Sequence, residues 1–196
     1  LSTVHMKGRE DAEEIRRLLA LCGIRVISMP GGGSSWEGIM QAPAASLNVV
    51  VRDELGLSLA KQMEQDFGTP YMSCGLPYGT DGTISWLSEI TKKLGAGELT
   101  RASHEAAKLK EFLLRKGNNL ESLWGPLWFD AVLISAPPSE ALGIAETIRS
   151  EWIDTARLVV HAQCVTEKTT PAADVIRIVM KNEKEITKDY EDWQGG

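Results

Sequence analysis

The feature that most constrains this chain is a repeated alternation of short apolar runs and amphipathic segments over its first hundred residues. The apolar runs 24–29, 47–51 and 71–74 each lead through a turn into a segment with apolar residues at helical spacing. A helical segment over 11–22, ended by Gly23, precedes the first run. Strands that alternate with helices form parallel sheets covered by helices. The sequence therefore predicts an α/β protein, Rossmann-like (flavodoxin-like), with parallel sheets flanked by helices in two modules.

The best candidate boundary between the two modules is Gly95-Ala96-Gly97. We predict a first α/β module over 1–97, and a bridging helix followed by a second α/β module over 98–196. Residues 1–6 have the pattern of a short apolar strand entered without an initiator methionine, so we expect a piece of a longer protein. In the second module the patterns predict a helix over 98–116, strands over 129–136 and 158–165, and helices over 140–152 and 171–180, before a polar tail over 182–196.

Composition excludes several classes of function. The 196 residues carry a formal net charge of −6 and no basic stripe, which argues against a nucleic-acid partner. The cysteines at 22, 74 and 164 are too scattered for a disulfide scaffold and lack the CxxC spacing of a metal site. No apolar run reaches the roughly 18 to 20 residues that cross a bilayer. We expect a cytoplasmic protein without a membrane partner and without a metal-ligand cluster of its own.

The loop Gly31-Gly32-Gly33-Ser34-Ser35 lies between a predicted strand and a predicted helix, where free N–H groups favour an anion. Ser34 and Glu37 have the spacing of a capping box. The loop lacks the dinucleotide fingerprint, because Trp36 stands where a GxGxxG motif needs its third glycine. It is either a ligand-binding loop or a turn into a capped helix.

Two further loops follow predicted strands at the same edge of the sheet. Arg52 and Asp53 come directly after the second run, and either can bind a substrate or form a local ion pair and helix-end charge. Cys74 begins the third loop, either as a thiolate ligand if its pKa is lowered or as a small buried apolar residue. The same loop contains Pro77, Tyr78 and Gly79, which complete the candidate ligand-binding set.

Other chemical signals are weak. His161 and Cys164 point to opposite faces of one predicted strand, so we interpret His161 as structural. No Ser/His/Asp order, HExxH helix or carboxylate pair defines a reaction, and no catalytic residue is predicted. The segment 124–128, with a tryptophan at each end, is either an interface surface or part of the core.

The stretch 24–94 resembles the central module of nitrogenase component 1 subunits. Four motifs occur in the order of that family: a Gly/Ser loop, P-A-A-x-L-N leading into a strand, LA…ME…FG-x-P ending a helix, and P-x-G…T…WL…I in the next helix. The stretch 128–164, with FDAVLISAPPSEALGIAETI, is similar to a second module of the family through its A-x-G-x-A helix. The resemblance implies an oxidoreductase subunit that pairs with another component 1-type subunit and receives electrons from an iron-sulfur reductase ATPase.

Two departures from the family limit what the resemblance implies. The family's N-terminal domain, which supplies cysteines for a bridging iron-sulfur cluster, is not in this sequence, so we expect the cluster in the full-length complex only. The cysteine that holds the cofactor of molybdenum nitrogenase matches Arg52 here, and Cys74 lies one loop later. The resemblance therefore does not imply that cofactor bound in that way, and we expect a tetrapyrrole or a related substrate. The sequence leaves open whether the native cofactor is a metal cluster or a macrocycle.

Two hypotheses remain open from the sequence. In the first, the loops 31–35, 52–53 and 75–79 meet in one cleft of an electron-transfer complex that reduces a tetrapyrrole, and the chain alone is inactive. In the second, the chain is a non-catalytic α/β module that binds a small molecule or a partner protein. Fold alone does not separate them.

Overall fold

The computed structural model describes residues 8–124, 132–136, 138–152, 158–162 and 176–180. The chain divides into two compact units, Leu1–Phe112 and Leu113–Gly196, and the assignment of functional domains at 97/98 stays a prediction. The elements are α1 (Gly8–Leu21), α2 (Trp36–Gln41), β1 (Asn48–Val50), α3 (Asp53–Phe67), β2 (Tyr71–Ser73), α4 (Thr80–Leu94), α5 (Thr100–Trp124), β3 (Val132–Ala136), α6 (Pro138–Thr147), β4 (Leu158–Ala162) and β5 (Ile176–Met180).

In the first unit, β1 and β2 are parallel neighbours joined by the crossover helix α3. Their register pairs Asn48 with Tyr71 and Val50 with Ser73. The crossover helix ends at Gly68, which has a left-handed backbone (φ 72°) and donates its N–H to the Glu64 carbonyl at 3.0 Å. A strand, helix and parallel strand in sequence make a βαβ unit, so the predicted α/β class is confirmed.

The core of the first unit lies between α1, α4 and the start of α5. Leu87 is fully buried, and Ile90 is only 1% exposed. Burial of large apolar side chains of this kind contributes roughly 1.5–3 kcal/mol each. The buried members of this cluster are Ile15, Leu19, Cys22, Trp86, Leu87, Ile90 and Ala102.

The second unit contains a parallel sheet of three described strands in the order β3-β4-β5. Helix α6 packs its small residues Ala141 and Ala145 against Ile134 of β3. A short π-helical turn, Ile148–Trp152, continues α6. The strand predicted within 129–136 is confirmed over Val132–Ala136, and that within 158–165 over Leu158–Ala162.

Three local predictions were wrong. Residues 24–29 are not a hydrogen-bonded strand within the described chain, because the described sheet of this unit, β1 with β2, gives them no paired neighbour. Ile176–Met180 is strand β5 and not the end of a helix, since pairing with β4 suits its β-branched residues. Ser34 does not cap α2: its hydroxyl is engaged by the Met29 N–H, and Ser35 caps the helix instead.

Several predictions fall on residues that the structure does not describe. These are the strand over 1–6, the helix start over 171–175, the polar tail over 182–196, Cys164 and most of the segment 124–128. Within the described part of the chain, no helix is both long and apolar enough to cross a membrane.

Candidate functional site

The candidate site lies at the carboxyl ends of β1 and β2, the two strands of the first sheet. Because the strands are parallel, the residues that follow them come out at the same edge. Arg52 and Asp53 follow β1, and the loop from Cys74 follows β2. The loop 31–35 follows the segment 24–29, and its first residue, Gly31, lines the same cleft as Arg52.

The glycine loop is shaped by close packing and by two serine hydroxyls. Gly31 and Gly33 have left-handed φ angles of 74° and 85°, which favour glycine. Gly32 is buried against α1, and a Cβ at this position would lie 3.1 Å from the Cβ of Ala12. Ser34 Oγ accepts hydrogen bonds from the Met29 N–H and the Ser28 hydroxyl.

Ser35 continues this loop into α2. Its hydroxyl accepts the Gly38 N–H at 3.1 Å, as an N-cap does. The N–H of Glu37 itself and the same hydroxyl lower the pKa of the Glu37 carboxyl. The hydroxyls of both serines therefore already accept hydrogen bonds from backbone N–H groups. These contacts favour the alternative in which the loop is a turn into a capped helix.

Arg52 is buried at the point where β1 becomes α3. Its side chain and backbone together are 6% exposed, and its carbonyl accepts the Gly56 N–H at 2.9 Å. This position is the N-cap of α3, with an extended backbone. Arg52 also lines the cleft beside β1, so a basic residue lies where this strand ends.

Asp53 connects the ends of the two strands. It is the first residue of α3, where a negative charge favours the helix dipole. Its carboxylate accepts a hydrogen bond from the Ser73 hydroxyl, and Ser73 is the last residue of β2. Sequence analysis missed Ser73, although its place directly before Cys74 puts it at the same sheet edge.

Cys74 is a protonated thiol at neutral pH. Burial is the largest cause that raises its pKa to about 12, the side-chain hydrogen bond with Trp86 opposes the rise, and the nearby carboxylates of Glu89 and Asp53 contribute to it. A thiolate ligand needs a lowered pKa. The geometry around Cys74 accordingly favours the buried-thiol alternative.

The loop after Cys74 is held by the start of α4. The indole N–H of Trp86 donates to the Gly75 carbonyl at 3.0 Å, a contact that the sequence analysis did not predict. Gly79 has φ 68° at the N-cap of α4, and its carbonyl accepts the Thr83 hydroxyl at 2.6 Å. Pro77 and Tyr78 are half-buried between these two glycines.

The predicted site residues thus fall into two groups. Gly31 and Arg52 line one cleft, whereas Asp53 and Cys74 belong to the junction of β1, β2 and α3 beside it. Among the described residues, the loop positions Gly32, Gly33, Ser34, Ser35, Pro77, Tyr78 and Gly79 do not line that cleft.

The described part of the chain offers a poor fit to a metal cluster. It contains no group of three or more His, Cys, Asp or Glu side chains arranged to hold a metal ion. Burial raises the pKa of Cys22 as well as that of Cys74. Iron-sulfur clusters are held by thiolates, so these two thiols do not fit one.

Residues 2–118, which are more than half of the chain, match the model of the family described as nitrogenase component 1 type oxidoreductase. The chain belongs to this family. The match includes all three loops of the candidate site, and the resemblance found in the motifs is confirmed.

Curated relatives of this family member include two kinds of protein. The chain is 28% identical over 121 residues to a subunit of the light-independent protochlorophyllide reductase of Chloroherpeton thalassium, covering 62% of this chain and 22% of that protein. It is 36% identical over 100 residues to the nitrogenase iron-molybdenum cofactor biosynthesis protein NifE of Clostridium pasteurianum, covering 51% and 20%. The chain therefore spans about a fifth of the length of these relatives.

A solved structure of the family has the same fold. The structure titled nitrogenase Cp1 at pH 5 superposes with a TM-score of 0.63 at 22% identity, and the match covers 95% of this chain and 37% of that one. At this identity the likeness establishes the α/β fold.

Proposed function

We propose that the chain is part of a nitrogenase component 1-like oxidoreductase subunit, in an electron-transfer complex that reduces a tetrapyrrole or a related substrate. Family membership and the similarity to a protochlorophyllide reductase subunit support this proposal. The observation that carries it is the position of Arg52, a buried cation on the cleft at the carboxyl end of β1.

The chemistry of Arg52 suits an anionic macrocycle. A guanidinium stays protonated at all physiological pH values and can bind a carboxylate through two parallel hydrogen bonds. Tetrapyrroles carry carboxylate side chains on a flat apolar ring. The cleft presents the same combination, because its lining includes Arg52 and apolar residues such as Leu55 and Met63.

In this proposal, the electrons for the reduction come from other parts of the complex. In the proposal, a paired component 1-type subunit and an iron-sulfur reductase ATPase work with the full-length protein, and an iron-sulfur cluster in the full complex delivers the electrons. The chemistry of electron delivery then lies outside this chain, whose own residues bind and orient the substrate. The chain alone is expected to show no reductase activity.

A fluorescence titration tests the binding step. Trp36 directly follows the glycine loop and is 69% exposed, so its emission reports a macrocycle that approaches this edge. Addition of protochlorophyllide or sirohydrochlorin should quench it in a saturable way. Arg52→Ala should weaken binding about 10- to 100-fold, since a hydrogen bond to a charged group contributes about 1.5–3 kcal/mol.

Matched variants make this result specific. Lys61→Ala removes an exposed cation of α3, the helix whose N-cap is Arg52, and should leave the affinity for the tetrapyrrole unchanged. Trp36→Phe should remove the share of the quenching that comes from Trp36 and leave that of Trp86, which lines the cleft, without changing the affinity measured by the absorbance of the tetrapyrrole. A folded chain that binds neither macrocycle, or that binds both equally well after Arg52→Ala, would contradict the proposal.

A second candidate function is a non-catalytic module that binds a small molecule or a partner protein. The similarity to a cofactor biosynthesis protein and the apolar side chains on the surface of α5 favour it. Leu109 and Phe112 of this helix are 48% and 54% exposed. A gene that encodes an upstream domain with spaced cysteines, beside a gene for an iron-sulfur reductase ATPase, would favour the first function instead.

A further inference from the structure

Ser73 is the last residue of β2 and lies directly before the third loop of the candidate site. Its hydroxyl donates a hydrogen bond to the carboxylate of Asp53, the residue that follows Arg52 in the chain. Both Ser73 and Asp53 are exposed, whereas Arg52 is only 6% exposed. This hydrogen bond therefore lies on the surface, next in sequence to the buried residue that binds the ligand in the proposed function.

The end of β2 contacts the chain on both sides of Arg52. Before Arg52, the Val50 carbonyl accepts the Cys74 N–H at 3.1 Å. After it, the Asp53 carboxylate accepts the Ser73 hydroxyl. Two consecutive residues at the end of β2 therefore hold the backbone on either side of Arg52, one through its N–H and the other through its hydroxyl.

The first turn of α3 connects the Asp53 contact to Arg52. An arginine side chain has only donors, so Arg52 cannot accept the first amides of the helix that it precedes. The negative charge of Asp53 favours this helix end, and the bond to Ser73 fixes the end against β2. The Arg52 carbonyl accepts the Gly56 N–H at 2.9 Å, so a displacement of the first turn displaces Arg52 as well.

Ser73 and Asp53 are not among the described residues that line the cleft, so an effect of Ser73 on a ligand held there passes through Arg52. A guanidinium that binds a carboxylate through two parallel hydrogen bonds needs a defined orientation. We propose, in an inference that rests on the proposed function, that Ser73 is a positioning residue. Through Asp53 it holds Arg52 in place for a carboxylate of the tetrapyrrole.

The affinity of the full chain for protochlorophyllide, measured by the absorbance of the pigment, tests this inference. Ser73→Ala should weaken binding about 3- to 10-fold, the effect expected for the loss of one hydrogen bond. Ser73→Thr keeps the hydroxyl and should restore the affinity of the unmodified chain. Ser58→Ala, which removes an exposed hydroxyl from the middle of α3, should have no effect.

Two comparisons separate positioning of Arg52 from general support of the fold. In the Arg52→Ala background, Ser73→Ala should cause no further loss of affinity, because the residue that it positions is gone. The methyl ester of protochlorophyllide, in which the free carboxylate is esterified, should bind the unmodified chain and Ser73→Ala equally well. Additive losses in the double variant, or an equal loss for the ester, would overturn the proposal, since Ser73 would then support the cleft as a whole.

The chain without ligand gives a readout that does not depend on the proposed function. The NMR signal of the Arg52 Nε–H should shift in Ser73→Ala and stay in place in Ser73→Thr. An unshifted signal in Ser73→Ala, or an affinity equal to that of Ser58→Ala, would overturn the role of Ser73. A shifted signal in a chain whose affinity does not change on Arg52→Ala would support the positioning of Arg52 and contradict the proposed function alone.

Discussion

At the scale of single residues, the protonation of Cys74 follows from its burial. Its pKa is raised from an ordinary value of 9.0 to about 12, first by loss of hydration and then by the carboxylates of Glu89 and Asp53. The folded state therefore favours the thiol, and the unfolded state loses its proton at lower pH. The contribution of Cys74 to stability is complete below pH 9 and is lost as the pH rises towards 12.

This reasoning predicts a pH dependence of stability that one substitution removes. Between about pH 9 and pH 12, the free energy of unfolding of the unmodified chain should fall more steeply than that of Cys74→Ala. Urea unfolding at several pH values measures the difference, because all other groups titrate in both proteins. Parallel pH profiles, or alkylation of Cys74 as fast as a free thiol at neutral pH, would show that the thiol is not buried in this way.

At the scale of elements, the start of α2 shows which of two neighbouring serine hydroxyls caps the helix. The sequence predicted Ser34 as the cap because Glu37 follows at the required spacing. In the structure Ser34 closes the preceding turn through the Met29 N–H, and Ser35 accepts the Gly38 N–H. The two serines therefore stabilise different amides.

The separate roles predict separate effects of two matched substitutions. Ser35→Ala should accelerate exchange of the Gly38 amide about 5- to 30-fold, since loss of a cap costs about 1–2 kcal/mol. Ser34→Ala should accelerate exchange of the Met29 amide and leave Gly38 unchanged. Amide exchange followed by NMR measures both, and the reverse assignment of effects would restore Ser34 as the cap.

Periodicity predicted most of the elements, and it failed where long-range pairing decides the structure. Helices α1, α3, α4 and α5 follow from apolar spacing, and α1 and α4 bury their apolar faces in the core of the first unit. Leu59 of α3 and Leu109 of α5 are 51% and 48% exposed, so apolar spacing predicted these helices without predicting burial. The segment 24–29 has the composition of a strand, but a strand also needs a neighbour, which composition does not specify. Residues 176–180 show the converse, since pairing with β4 makes a strand of a segment predicted as helical.

At the scale of the whole molecule, the predicted parallel topology explains where the candidate residues lie, while their role in binding stays a prediction. Parallel strands bring Arg52, Asp53 and Cys74 to one edge, and the sequence located each of them by its position after an apolar run. The sequence did not show which side chains are already engaged. The contacts of Ser34, Ser35 and Ser73 depend on distances between loops, which residue spacing does not encode.

The central claim is that this edge binds a tetrapyrrole within a nitrogenase component 1-like subunit. NMR of the isotopically labelled chain, titrated with protochlorophyllide, tests the claim most directly. We expect saturable shifts of the amides of Gly31, Arg52 and Asp53, with the surface of α5 unaffected. Shifts confined to Leu109 and Phe112, or no shifts in a folded chain, would contradict the account and favour a partner-binding module.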